Sequence, residues 1–264
     1  IAYAQPTYPN RPIKFIAPFP PGGTSDVLGR IMAQKLSDAL GQSVIVENRP
    51  GASGNIGHDI AAKAAPDGYT LLLSNSSTVV NNPHLFKQMS FDWYKDFSPI
   101  SLVAIAGQVL VVHPSVPVKS VSELTALAKS KPGQLNFGSG GKGIQSHISG
   151  EMYKTAANVD IVHIPYKGTG VAVADLVAGQ IHMVFSDMAP AVPFIKANKL
   201  RALAVTSPQR STTLPDLPTM IELGFPNFEA ANWWSIVTSK GVPNNIIERI
   251  NQELGKIMTS QEIK

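Results

Sequence analysis

The residues best suited to chemistry sit in a few glycine-bearing stretches. Ser139 and His147 supply a hydroxyl and an imidazole, the raw material of a nucleophile and its base. A nucleophile elbow needs Gly-x-Ser-x-Gly, however, and residue 137 is Phe. His147 is predicted two turns inside a helix, where packing or capping suits it better than catalysis. Gly138, Gly140 and Gly143 form G-x-G-x-x-G between a predicted strand and a predicted helix, the dinucleotide pattern. Its acidic partner should close the next strand, where it would meet a ribose. Here Asp160 precedes that strand, which ends in Pro165-Tyr166. A loop that holds a carboxylate through backbone amides uses the same physics. Histidines 58, 84, 113, 147, 163 and 182 lack the H-x-x-x-H and H-E-x-x-H spacings, so no metal is expected, and with the dinucleotide pattern incomplete no cofactor is expected either. Asp187 closes a predicted strand and either contacts a ligand or caps the next segment, with capping favoured. Trp233-Trp234 reads as core.

These residues must be positioned by strands and helices, and the opening unit shows how. Ile13 to Ala17 reads as a buried strand. Pro18, Pro20 and Pro21 bar its continuation, and Gly22-Gly23 permits a sharp turn. Thr24 or Ser25 is the expected helix N-cap, with Asp26 in the first turn. Leu28, Ile31, Met32, Leu36 and Leu40 fall on one helical face, and Gly41 ends the helix. The unit is either an anion site at a helix start or a tight turn that needs glycine. Strands follow at 44–47 and 70–73, with a small-residue helix at 56–65 between them. The second strand of that pair enters the polar run Ser74 to Thr78. Further strands are predicted at 100–106 and 109–113, split by Gly107-Gln108, and at 135–137, 161–164, 183–185, 200–205 and 233–238. Helices are predicted from Ser120 or Ser122 to Lys131, and over 144–157, 171–178 and 244–258. Strands alternating with helices indicate a parallel α/β sheet, whose ligands lie beyond the carboxyl ends of the strands. The strand, glycine loop and helix start recur at 135–157, which suggests two similar lobes.

Composition narrows the function. At 264 residues the chain can bury a sizeable core. Charged residues are 15%, too few for a disordered chain. The net charge of +4 is spread along the sequence without a basic run, which argues against nucleic acid. With no cysteine, disulfide and thiolate chemistry are excluded. No apolar run is long enough to span a membrane. Ala2-Tyr3-Ala4 before Gln5-Pro6 has the form of a signal-peptidase site, so Ile1 to Ala4 are expected to be the remnant of a secretory signal.

Several stretches together resemble the periplasmic solute receptors of tripartite tricarboxylate transporters, the Bug family. They are residues 21–26 (Pro-Gly-Gly-Thr-Ser-Asp), 46–54 (Val-Glu-Asn-Arg-Pro-Gly-Ala-Ser-Gly) and 66–71 (Pro-Asp-Gly-Tyr-Thr-Leu). Ser139 to His147, Pro165-Tyr166-Lys167-Gly168, Asp175 to Gln180 and Leu214 to Thr219 complete the set, almost end to end. The resemblance implies a two-lobed α/β periplasmic-binding-protein fold of type II-like form, each lobe a mixed sheet flanked by helices. It implies a discontinuous first lobe, residues 1–103 plus 230–264, a second lobe at 104–229, and hinge crossings near 103–108 and 226–233. A small organic carboxylate would lie in the cleft and pass to membrane subunits of the transporter, with the receptor a non-catalytic, periplasmic monomer. The implied ligand residues are Phe19, Gly22, Gly23, Thr24, Ser25 and Asp26 from the first loop, then Ser76 and Val79. From the second lobe they are Ser139, Gly140, Gly141, Gly143, Ile144 and His147, with Thr169 and Asp187.

Three departures from the family pattern are notable. Ile144 stands where Ser or Thr is usual, and Val79 where His is common, so a ligand with an apolar or aromatic body is expected over citrate or glutamate. The family also continues for some tens of residues past Lys264, so the chain is expected to be cut short. The competing functions are a glycine-loop enzyme acting on a nucleotide or acyl substrate, and a carboxylate sensor.

Overall fold

A computed structural model describes residues 8–261. The expected signal remnant, Ile1 to Ala4, lies outside the described residues. The first unit runs β1 (Ile13–Ala17), α1 (Thr24–Leu40), β2 (Val44–Asn48), α2 (Asn55–Ala62) and β3 (Thr70–Asn75). Two short helices, α3 (Asn82–Leu85) and α4 (Trp93–Asp96), lead into the long strand β4 (Phe97–Val112). The second unit runs α5 (Val121–Ser130), β5 (Asn136–Ser139), α6 (Gln145–Ala157), β6 (Val162–Pro165), α7 (Thr169–Val177) and β7 (Met183–Asp187). Then come α8 (Met188–Lys196), β8 (Arg201–Val205), β9 (Ala231–Ser239) and α9 (Asn244–Thr259).

The strands run in the order β2-β1-β3-β9-β4-β7-β5-β6, with β8 also on β4. Pairs β2–β1–β3 and β7–β5–β6 are parallel, as expected where helices connect the strands. Strands β4 and β9 join the two halves through antiparallel pairs. The result is a two-lobed α/β fold with a mixed sheet in each lobe.

Strand β4 corrects the expectation of two strands split at Gly107-Gln108. It is continuous, but changes partners at that point: Phe97 to Gly107 pair with β9, and Gln108 to Val112 pair with β7. Gly107 is there for close packing rather than for a turn. A Cβ on it would lie 2.7 Å from the Ser207 backbone nitrogen. The sequence also assigns no element between Asp187 and Leu200, where α8 forms. Pro190 falls in its first turn, where a missing N–H costs no helical bond.

Alternation along the strands sends side chains to both faces of each sheet. Leu110 and Val112 enter a core with Phe137, Tyr153 and Phe185, while Val109 and Val111 pack on Ala172 and Leu176 from α7. In the first lobe, Ile13, Phe15, Leu71 and Leu73 meet Met32 and Leu36 of α1 and Ile250 and Leu254 of α9. Ile16 and Leu72 face the opposite way, toward Phe91 and Phe97. Sheets buried on both faces hold the strand ends rigidly, and the loops at those ends form the cleft.

Candidate ligand-binding site

The loop after β1 and the loop after β6 bring two helix starts face to face. The first helical bonds of α1 come from the amides of Asp26 and Val27 to Gly23 O, both 3.0 Å. Those of α7 come from Val171 and Ala172 to Gly168 O, at 3.1 and 3.3 Å. The Thr24, Ser25, Thr169 and Gly170 amides therefore precede the helical ladders and are directed at the cleft, with two positive dipole ends behind them. Gly170 packs on the turn of α1 so closely that a Cβ there would lie 3.0 Å from Gly22 O.

Between the helix starts is a cavity of about 30 Å³. Its polar wall is Gly23, Thr24, Ser25, Asn75, Gly168, Thr169, Gly170, Asp187 and Asn232. Its apolar wall is Phe19, Pro20, Pro21, Ile144, Val171 and Trp234. A neighbouring space of about 120 Å³ is lined by Phe19, Ser53, Gly140, Gly141, Tyr166 and Lys167. Phe19 is the partition between the two.

The caps differ from those the sequence predicts. Gly23 occupies the N-cap of α1, with φ −85° and ψ 170° and no side-chain cap bond. Thr24 Oγ1 instead donates across the cleft to Asp187 Oδ2 at 3.0 Å. Asp187 occupies the N-cap of α8 but makes no capping bond; its carboxylate also accepts from Gln108 Nε2 at 3.4 Å. Burial raises its pKa above the usual carboxylate range, against the donors Thr24, Gln108 and Asn232. Asp26 is in the first turn as expected, but faces away from the cavity. Its Oδ2 accepts the Gly22 amide at 3.0 Å, and its Oδ1 meets Arg30 at 2.9 Å. Burial alone would raise its pKa; Arg30, the Gly22 amide and Asn48 outweigh burial and hold it low. This clamp fixes Gly22, whose φ of +83° suits glycine.

In the loop at 138–147 several amides are engaged by protein side chains. Gln145 N–H donates to Ser77 Oγ at 3.0 Å, and Gly140 N–H to Ser146 Oγ at 2.9 Å. Ser139 is fully buried and bonded to His163 Nε2 at 2.6 Å. Burial and the neighbouring His147 push the His163 pKa down to about 4. A fully buried hydroxyl beside so weak a base is out of reach of a substrate, so the pair does not restore a hydrolase. His147 is not two turns into its helix, because α6 begins only at Gln145. It lies in the first turn, accepts the Gly143 amide at 3.2 Å and stacks on His163 with centroids 4.0 Å apart. The G-x-G-x-x-G glycines each admit a protein neighbour. Added Cβ atoms would meet Ile181 at Gly138, Thr169 at Gly140 and Leu85 at Gly143.

Of the predicted site residues, Phe19, Gly23, Thr24, Ser25, Ile144, Thr169 and Asp187 line the main cavity, and Gly140 and Gly141 line its neighbour. Gly22, Asp26, Ser139, Gly143 and His147 support the walls from behind. Ser76 is bonded to the cavity residue Asn232, and Val79 lies half-buried on the turn 77–81, away from the cavity. Asn75, Asn232 and Trp234 were not anticipated. They end β3 or sit on β9, and the β3–β9 pairing joins Asn75 to Trp234. For Asn75 the signal was its place in the polar run past the predicted strand 70–73; Asn232 just before the strand 233–238 and Trp234 within it gave none. Trp234 is core, at 1% exposure, as well as cavity wall.

Two lobes with an anion-suited cavity between them define the form of a solute-binding protein. The family model of the tripartite tricarboxylate transporter family receptor matches residues 28–264. The chain belongs to this family. Its relatives include protein BugT of Bordetella pertussis, 41% identical over 258 residues that cover 97% of this chain and 79% of that one. Among solved structures, R. palustris Rpa4515 with adipate superposes with a TM-score of 0.95 at 34% identity, covering 97% of this chain and 86% of that one. MatC from Rhodopseudomonas palustris with bound malate gives 0.91 at 29% identity, covering 97% and 87%. The periplasmic binding protein BugD gives 0.92 at 34% identity, covering 97% and 85%. Among the described residues no helix is long and apolar enough to cross a membrane.

Proposed function

We propose that this protein is a periplasmic receptor that captures a small organic carboxylate with an apolar or aromatic body and delivers it to the membrane subunits of a tripartite transporter. It does so as a monomer, without catalysis. Residues up to 103 with 230–264 act as one lobe and 104–229 as the other, flexing where β4 and the chain near β9 cross between them. The observation that carries this is the pair of opposed helix starts, α1 and α7, aimed at one cavity. A carboxylate takes hydrogen bonds from those amides without needing a cationic side chain. Adipate and malate in the two structural neighbours support the ligand class. Ile144, Phe19, Val171 and Trp234 give the cavity an apolar side for the body of the acid. Burial there contributes roughly 25 cal/mol per Å² of apolar area.

The test is a thermal-shift screen of hexanoate, benzoate, adipate, malate, citrate and glutamate beside nucleotides and acyl thioesters. A ligand at 100 times its dissociation constant adds roughly 2.7 kcal/mol. Expected is a raised melting temperature with the apolar acids. If no carboxylate raises it while a nucleotide or acyl thioester does, the receptor assignment is overturned.

A further inference from the structure

The cavity of about 30 Å³ between the helix starts has room for roughly two waters, each needing about 10–15 Å³ of such space. That suits a carboxylate head and is too small for the body of an acid. The space of about 120 Å³ beyond Phe19 adjoins it. The divider is a side chain that can turn while its backbone stays. Pro18 and Pro20 flank Phe19 and restrict the chain there, and the Phe19 carbonyl accepts from Asn48 Nδ2 at 3.0 Å. The half-buried ring lies on Gly54, where an added Cβ would be 3.2 Å from its Cζ. Ile144 flanks the same passage. It lines the first cavity, and its Cγ1 is 3.7 Å from where a Cβ on Gly141 would be, a residue that lines the second.

The second space is suited to a negative group. It lies between the turn Gly51 to Gly54 on one side and Gly140-Gly141 and Lys167 on the other. All four residues of the turn have positive φ, with Ala52 at 47° and Ser53 at 53°. That conformation costs energy in residues other than glycine and persists where the surroundings hold it. Ser53 O accepts from Thr78 Oγ1 and Asn82 Nδ2, at 3.1 and 3.0 Å. The Ala52 and Ser53 amides donate to no protein group among the described residues. Successive free amides in a turn form a concave anion site. Lys167 is the one cation lining either space; it is exposed and forms no ion pair among the described residues. We infer that this space is a second subsite, which takes the far carboxylate of the ligand, and that Lys167 is the specificity-determining residue that reads its charge. The ligand is then a diacid whose apolar spacer passes between Phe19 and Ile144, turning the ring aside. This rests on the receptor assignment and refines its substrate class.

The test sets succinate, adipate and suberate against their monoamides, which keep the length and lose the far charge. Calorimetry at neutral pH and low salt should find adipate or suberate bound about fivefold tighter than its monoamide, the gain of one exposed ion pair. Succinate, too short to clear the ring, should show no such gain. Lys167→Gln should bring the ratio close to one. Lys142→Gln, which removes an exposed cation lining neither space, should keep it. Equal loss of the ratio in both variants overturns the inference, because the diacid is then drawn by the general field of the lobe. A gain that is equal at all three lengths overturns it too, as does a wild type that binds every monoamide as tightly as its diacid. If none of the six binds while another carboxylate of the screen does, the inference fails and the receptor assignment stands. If no carboxylate binds at all, both fall.

Discussion

Gly170, in the first turn of α7, lies against the Gly22-Gly23 peptide of the opposite lobe: an added Cβ would be 3.0 Å from Gly22 O and 3.1 Å from Gly23 N. The contact spans the two lobes. Gly170→Ala should therefore act as a wedge. Alanine is favoured over glycine inside a helix by about 1 kcal/mol, so the open form should not lose stability. Closure must give way by a few tenths of an ångström. Expected are an unchanged or raised ligand-free melting temperature, a weaker affinity by calorimetry, and a larger ligand-saturated radius of gyration than wild type. Wild-type affinity would show that the bound form is more open than this one.

Gly150 makes the opposite case. It lies inside α6, yet an added Cβ would collide with the Phe137 ring. Phe137 is fully buried and stacks on His163 at 4.9 Å, so it has little room to move. Gly150→Ala should cost about 1–3 kcal/mol by overpacking, against a helix gain of about 1 kcal/mol. Urea denaturation should show a lower midpoint, and an unchanged one would mean that the ring finds another rotamer.

Stability should depend on pH through His58. Its Nδ1 faces Gly54 O at 2.9 Å, which only accepts, so Nδ1 carries the proton and Nε2 accepts from Ser74 Oγ at 2.8 Å. Burial pushes its pKa down to about 4. The unfolded value is about 6.5, so between those values the unfolded chain binds the extra proton. The contribution is complete above pH ~6.5 and is lost as pH falls toward ~4, by about 3 kcal/mol. His163 shifts the same way. Denaturant titrations at several pH values should show this slope, flattened in His58→Gln even if that variant is less stable throughout. Equal slopes in both proteins would assign the pH dependence elsewhere.

Ile144 occupies the N-cap of α6 and lines the cavity at 5% exposure. Serine at an N-cap contributes about 1 kcal/mol to a helix, which offsets part of the burial lost with the isoleucine side chain. Ile144→Ser should bind benzoate or hexanoate more weakly and gain relative affinity for glutamate or citrate. The hydroxyl offers a polar end a partner that isoleucine denies it. Titration of both proteins with the same acids decides this; a wild type that already prefers citrate would mean that the apolar wall does not meet the ligand.

The sequence by itself determined the strand and helix units. Ile13 to Leu40 encodes its own turn, because prolines end the strand, glycines permit the bend and the apolar spacing marks the helix. It also determined Asp26 in the first turn and narrowed the cap of α5 to Ser120 or Ser122, of which Ser120 serves, its Oγ accepting the Glu123 amide at 3.1 Å. These are local interactions between residues a few positions apart. Tertiary structure decided which helix starts face each other. The sequence offered the glycine loop at 138–147 as partner of the loop at 18–25, yet α7 is seated opposite α1. Ser77 and Ser146 hydroxyls take up the Gln145 and Gly140 amides of the 138–147 stretch. It also decided that Thr24 would reach Asp187 instead of capping its own helix. A hydroxyl can bond a nearby amide or a distant carboxylate with similar energy. Only the packing of two lobes brings the carboxylate within reach.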